Sequence, residues 1–264
     1  ITLFSYRGGE VFIERDTQGK FNWAPLFNTN TANNTETNKR SFTPLTLSNS
    51  QFEDVMIHLT LADSKQHYQF ELSNLTLNSA TQNAPAEISG VGEFDSMKVV
   101  FNSSFNTLTS LPQGLLSAVN MQLTVGLLKL NLDTEVIDFA KPLAHGINVQ
   151  LSGEDLSEWG QRFKQKLPET REFLIKGRLN QSLGSLNLTV ETATIANESF
   201  TLASNGLLQL SDSDQQLTLN LNVDAQGDSV HKLGSWLFAP EWLQAYLMAS
   251  QSFAINGRLH GALD

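Results

Sequence analysis

Phe173-Leu174-Ile175-Lys176-Gly177-Arg178-Leu179 returns eighty residues later as Phe253-Ala254-Ile255-Asn256-Gly257-Arg258-Leu259, so one Phe-x-Ile-x-Gly-Arg-Leu frame is written twice. Upstream of it, Asn148-Val149 followed by Gly153-Glu154 is echoed by Asn222-Val223 followed by Gly227-Asp228. Between these signatures each copy holds a short stretch of helical period. A unit of strand, short helix and strand buries its apolar face against its neighbours, and repetition of it builds an elongated object. Gly177 and Gly257 mark the expected bend or bulge points of the frame.

Composition narrows what such an object does. Only 17% of the 264 residues are charged and the net charge is -10. Nucleic acid and anionic lipid surfaces both call for clustered Lys and Arg, so neither is expected as an electrostatic partner. Asn, Ser, Thr and Gln supply the polar quota beside forty leucines, a mixture that suits a sheet wet on one face and dry on the other. With no cysteine there is neither a disulfide framework nor a thiolate metal site. The sequence holds no apolar run long enough for a transmembrane helix and no signal-peptide pattern. It opens at Ile1 directly into strand-like residues, as a piece of a longer protein would.

Period two dominates. Leu3 to Ile13 reads as a strand pair about a Gly8-Gly9 turn. Val55, Ile57, Leu59 and Leu61 alternate with Met56, His58 and Thr60. Asp63-Ser64-Lys65-Gln66 then turns the chain into Tyr68, Phe70 and Leu72, a hairpin pattern. Val119, Met121, Leu123, Val125 and Leu127 alternate next, and the phase slips so that Leu128, Leu130 and Leu132 continue it. A β-bulge beside Gly126 would absorb that slip. Leu186, Leu188 and Val190 follow, then Leu217, Leu219, Leu221 and Val223 opposite Thr218, Asn220, Asn222 and Asp224.

Helical period appears at Leu156, Trp159, Phe163 and Leu167, with Asp155 as N-cap and Pro168 as stop. The second copy places Val230, Leu233, Trp236 and Leu237 behind an Asp228 cap. Pro240 interrupts it before Trp242, Leu243, Tyr246 and Leu247 resume. Pro112 to Val119 is a third, short candidate. The connections are too short for βαβ units, so the expected fold is mainly β, an antiparallel sheet with short capping helices. Three segments follow: residues 1–27, an N-terminal strand pair and its exit; 28–41, a polar linker or loop almost without apolar residues; and 42–264, a repeat-built β-domain with helix-strand units near 146–179 and 219–259.

The exit of the first segment, Ile13-Glu14-Arg15-Asp16-Thr17-Gln18-Gly19-Lys20-Phe21-Asn22-Trp23-Ala24-Pro25-Leu26, resembles a pattern of the AsmA-like family. There a strand ending in Arg-Asp runs through a Gly turn into Asn-Trp and a polar insert. The helix-plus-strand repeat with its Gly-x-Leu endings resembles the same family. The resemblance implies a strongly curved, half-pipe sheet with an apolar concave face, in a periplasmic protein of Gram-negative bacteria anchored in the inner membrane. It also implies a part in phospholipid traffic and outer-membrane assembly, with envelope proteins as partners. On pattern alone the same one-sided strands describe a closed sandwich core; the resemblance favours an open groove lined by Val119, Met121, Leu123, Val125, Leu186, Leu188, Val190, Leu217, Leu219, Leu221 and Val223.

Chemistry finds little purchase in the sequence. His58, His67, His145, His231 and His260 lack metal-site spacing, and the carboxylate pairs Glu14/Asp16 and Asp212/Asp214 sit in turn-like surroundings. No Gly-x-Ser-x-Gly elbow or glycine-rich phosphate loop occurs. The expectation is a non-catalytic segment without cofactor or metal that binds or conducts acyl chains, phospholipid or another amphiphile. The alternative is a structural scaffold that pairs with proteins through its sheet edges.

Overall fold

The computed structural model describes residues 4–15, 22, 49–61, 66–81, 83–94, 96–107, 115–138, 143–162, 167, 169–182, 184–211, 216–236 and 252–263. Within them the fold is mainly β. The strands are β1 (Phe4–Arg15), β2 (Asn49–Leu61), β3 (Gln66–Ser79), β4 (Ala86–Phe94), β5 (Met97–Phe105), β6 (Leu115–Val125) and β7 (Leu128–Asp138). They continue with β8 (Ile147–Gly153), β9 (Glu172–Ser182), β10 (Ser185–Ala196), β11 (Phe200–Ser211), β12 (Leu217–Gly227) and β13 (Phe253–Leu263). Two short helices, α1 (Leu156–Arg162) and α2 (Val230–Trp236), each sit between a strand and the Phe-x-Ile-x-Gly-Arg-Leu strand that follows. All thirteen described strands belong to one sheet and lie in it in chain order, with β1 and β13 at the ends of that order. The pairings from β2 to β6 and from β8 to β13 are antiparallel, the meander expected of short connections.

The first pairing departs from the expected strand pair. Gly8 and Gly9, with φ of 73° and 139°, are not a turn; they lie inside a single twelve-residue strand, which pairs in parallel with β2. A parallel neighbour needs a long connection, and the residues between β1 and β2 supply it. Gly8 is skipped in the ladder together with Asp54, itself at φ 56°, so the irregularity is absorbed within the sheet. Other expectations are corrected as well. The slip at Leu127-Leu128 is not a bulge: Gly126 (φ 57°) and Leu127 form a two-residue turn between β6 and β7, with Leu127 58% exposed. A positive-φ glycine in the first of two loop residues matches the right-handed twist of the strands it joins. Leu115 to Val119 is strand rather than helix, paired along β5 further on through Met121 to Val125. The polar segment 28–41, together with Trp23, Leu26, Phe163 and residues 237–251, lies outside the described residues.

The chain divides into two compact units, residues 1–126 with 132–145 and residues 127–131 with 146–264. The first has a small core in which Ala86, Phe105 and Val119 are buried, with Leu77, Ile88, Leu116 and Ile137 packed around them. In the second, Leu233 of α2 is buried against Phe200 and Ala225, with Leu202 and Phe253 beside it. Helix α2 therefore acts as a plug for one end of that unit's apolar face.

Capping explains why the helices start where they do. Asp155 Oδ1 accepts from Ser157 N at 2.9 Å and Oδ2 accepts from Ser157 Oγ at 2.8 Å. Oδ1 also accepts from Thr170 N at 3.1 Å, while Thr170 Oγ1 accepts from Leu156 N at 3.0 Å. One carboxylate thus fixes the first turn of α1 to the segment that enters β9. Burial alone would raise the Asp155 pKa, but the bonds from Ser157 and Thr170 outweigh it and hold the carboxyl below its usual value. In the second copy the cap is Ser229, not Asp228: Ser229 Oγ accepts from Lys232 N at 3.4 Å, and Asp228 N is engaged with Ser199 O at 2.9 Å.

Candidate functional site

Cross-strand partners in a sheet carry their side chains on the same face, so the register shows which apolar residues share a surface. In the second unit one row runs Ile147, Leu179, Leu188, Leu208, Leu219 and Gly261 across β8 to β13. The next row runs Val149, Gly177, Val190, Gly206, Leu221 and Leu259. On the other side lies a row of Gln181, Leu186, Leu210 and Leu217. A fourth holds Leu151, Ile175, Ala193, Ser204, Val223 and Gly257, and a fifth Gly153, Phe173, Ile195, Leu202, Ala225 and Ile255. Five strand spacings make each full row about 24 Å across.

The seven candidate residues of this unit therefore share one face, but β10 and β12 are not neighbours. Leu208 and Leu210 of β11 join them, and Ile147, Val149 and Leu179 extend the rows on the β8–β9 side. These residues were missing from the sequence-derived set. The alternation in β11 is hidden because Ser204 and Gly206 occupy its apolar-face positions while Leu207 lies on the other side.

Burial along these rows is graded. Phe200 and Ala225, covered by α2, are 3% and 2% exposed, Phe173 is 3% exposed, and Val190 and Leu219 are 4% and 8% exposed. Leu186, Leu188, Leu208, Leu210, Leu217, Leu221 and Val223 are only half-buried. No large side chain among the described residues is fully withdrawn from solvent. The opposite face is wet and cross-linked by polar pairs: Arg258 Nε donates to Asn220 Oδ1 at 2.7 Å and Asn222 Nδ2 to Asn205 Oδ1 at 2.9 Å. Arg178 Nη1 donates to Asn148 Oδ1 at 3.2 Å.

Gly177 and Gly206 interrupt the rows where the register of β10 shifts against both of its neighbours. The β9–β10 register shifts between Val190 and Thr192, and Gly177 sits at that step. A Cβ on Gly177 would run into the Thr189 carbonyl, and one on Gly206 into that of Asn220. Strand backbones approach most closely there, which bends the strands and concentrates their twist. No register shift accompanies Gly257 in the β12–β13 pair, so of the two expected bulge points only Gly177 is one.

The first unit carries its own candidate residues on β6. A row of Tyr6, Phe52, Leu75, Gly90, Phe101 and Leu123 crosses β1 to β6, and a second runs Gly9, Val55, Leu72, Gly92, Val99 and Val125. Val119 is 3% exposed inside the small core, Val125 is buried, and Met121 and Leu123 are half-buried. Val119 is thus a packing residue. Aromatic rings thicken this face, with Phe70 stacked on Phe94 at 4.8 Å and Phe4 tilted on Phe52 at 5.9 Å. Of the segment that carries the family resemblance, Asn22 hooks back onto β1: its Nδ2 donates to Phe12 O and its N to Glu14 O, both at 2.8 Å.

Among the described residues no group of His, Asp and Glu is arranged to hold a metal ion, and no helix is long and apolar enough to cross a membrane. A shallow hollow of about 280 Å³ on the second unit includes Glu172 and Asp224, and Asp224 Oδ2 already accepts from Asn256 Nδ2 at 3.2 Å. Compared with known proteins, the chain matches no family model, no curated protein and no solved structure.

Proposed function

We propose that the chain is a non-catalytic segment that holds acyl chains of phospholipid or a similar amphiphile on its leucine-lined face, as part of a periplasmic, membrane-anchored protein of AsmA-like character that serves outer-membrane biogenesis. The observation that carries the reading is the incomplete burial of Leu186, Leu188, Leu208, Leu210, Leu217 and Leu221. A sandwich core of this composition would seal its leucines from water; a face awaiting an apolar guest keeps them partly open. Each methylene transferred from water contributes about 0.8 kcal/mol, so a sixteen-carbon chain laid on such a face gains on the order of 12 kcal/mol gross. That is ample without any grip on a head group. A row of about 24 Å also exceeds the roughly 15 Å hydrocarbon depth of one membrane leaflet. Leu, Ile and Val make up most of the rows, a largely aliphatic surface that favours sliding.

Native mass spectrometry of the purified chain, before and after exposure to phospholipid vesicles, tests the proposal. Mass additions matching a phospholipid are expected. A chain that neither carries nor takes up any amphiphile would defeat it.

A further inference from the structure

The face of β1, β2 and β3 turned away from the apolar rows carries a side-chain cluster that the proposed function does not use. Three cross-strand rows hold it: Glu10, Met56 and Glu71; Phe12, His58 and Gln69; and Glu14, Thr60 and His67. His58 lies at its centre. Its ring stacks on Phe12 of β1 with centroids 4.6 Å apart and planes 8° from parallel, and on His67 of β3 at 5.7 Å. His67 Nδ1 lies 3.1 Å from Thr60 Oγ1. Wedged between two rings, the His58 side chain is only 14% exposed, against 60% for Glu10.

One contact in the cluster is left unmade. His58 Nε2 is withdrawn from solvent and makes no hydrogen bond, although Glu10 Oε2 stands 3.3 Å away. A buried polar atom without a partner calls for an explanation, and here an acceptor is already beside it. Neutral imidazole carries one N–H and can place it on either nitrogen. The imidazolium ion carries two, so one of them is available to the Glu10 carboxylate as a charge-assisted bond. The titratable groups that share this face around His58 are Glu10 and Glu14 from β1, and Glu71 and His67 from β3. Burial opposes a charge on His58, while three carboxylates and the stacked face of Phe12 favour it.

We propose that His58 and Glu10 form a pH-operated latch between β1 and β2: the protonated imidazole bonds the Glu10 carboxylate and fastens β1, and the neutral imidazole releases that bond. Imidazole side chains change charge between about pH 5 and 8. The latch is therefore closed at the acid end of that range and opens as pH rises through it. β1 contributes Tyr6 and Gly9 to the apolar rows on the other face, so the latch sets how firmly those rows keep their first strand. The proposal is independent of whether the apolar face carries lipid.

The test follows amide hydrogen exchange of the whole chain between about pH 5.5 and 8, with each rate divided by the intrinsic rate at the same pH. Protection of residues 9–13 should be about threefold or more greater at the acid end than at the alkaline end. Glu10→Gln and His58→Gln should each flatten that dependence, and His67→Gln should keep it. Glu10→Gln alters an exposed side chain, so it remains informative if the His58 variant folds poorly. Protection of β1 that is constant with pH, or that falls towards acid pH, overturns the proposal. So does a dependence that survives Glu10→Gln, or an equal rise in β10 and β11, which would belong to the fold as a whole. Loss of the dependence in His67→Gln overturns it too, because His67 would then be the sensor.

Discussion

Asp155 shows how much can rest on one side chain. Its carboxylate caps α1 and holds Thr170, so it governs both the start of the helix and the entry into β9. Asp155→Ala should cost about 1–2 kcal/mol, read from urea denaturation. Because the folded carboxyl titrates below its unfolded value, the charged form stabilises the fold. That contribution is complete above the unfolded pKa and drains away as pH falls through the lowered folded pKa. Asp155→Asn keeps an acceptor without the charge, so its stability should vary less over the acidic range than that of the wild type. An equal acid sensitivity in both would refute the assignment. Asp155 was legible in the sequence because a cap needs only a local pattern. Ser229 was not, since Asp228 offered the stronger-looking cap and only the tie of its backbone to Ser199 removes it from the role.

Elements succeed or fail as signals according to how local their causes are. The β2–β3 hairpin and the start of α1 follow from neighbouring residues and were readable. The β6–β7 turn was misread because Leu127 continues the apolar alternation, and nothing in the sequence says that its side chain points into water. The parallel placement of β1 depends on where a distant strand lies, which no local period encodes. Helix α2 supplies a prediction at this scale. Leu233→Ala removes the residue that closes over Phe200 and Ala225, and should cost about 2–5 kcal/mol. Faster hydrogen exchange should follow at the adjoining ends of β11, β12 and β13. Unchanged exchange there would show that the plug is dispensable.

For the whole molecule, the decisive contrast lies between leucines that are sealed and leucines that are open. Leu219, at 8% exposure, belongs to the sealed set, so Leu219→Asn should cost several kcal/mol whatever the face carries. Leu208→Asn and Leu221→Asn strike half-buried positions on the same face. These two should lower phospholipid uptake in native mass spectrometry while shifting the thermal midpoint less than Leu219→Asn does. If all three variants are equally unstable, the rows are a core and not a binding face. The one-sidedness of β10 and β12 was plain from their alternation. That β11 bridges them was not, because its small residues at Ser204 and Gly206 conceal the period.

Strand order equal to chain order bears on how the molecule comes into being. With every antiparallel strand beside its predecessor, each new hairpin can zip onto a finished edge as soon as it is synthesised, and loop-closure entropy stays small at each step. Growth of this kind is vectorial, and the growing edge is always the most recently added strand. The pairing of β1 with β2 is the exception, since β1 must wait through a long intervening segment before its partner exists. During that interval β1 lacks β2 as a partner, and an unpaired strand edge is open to mispairing.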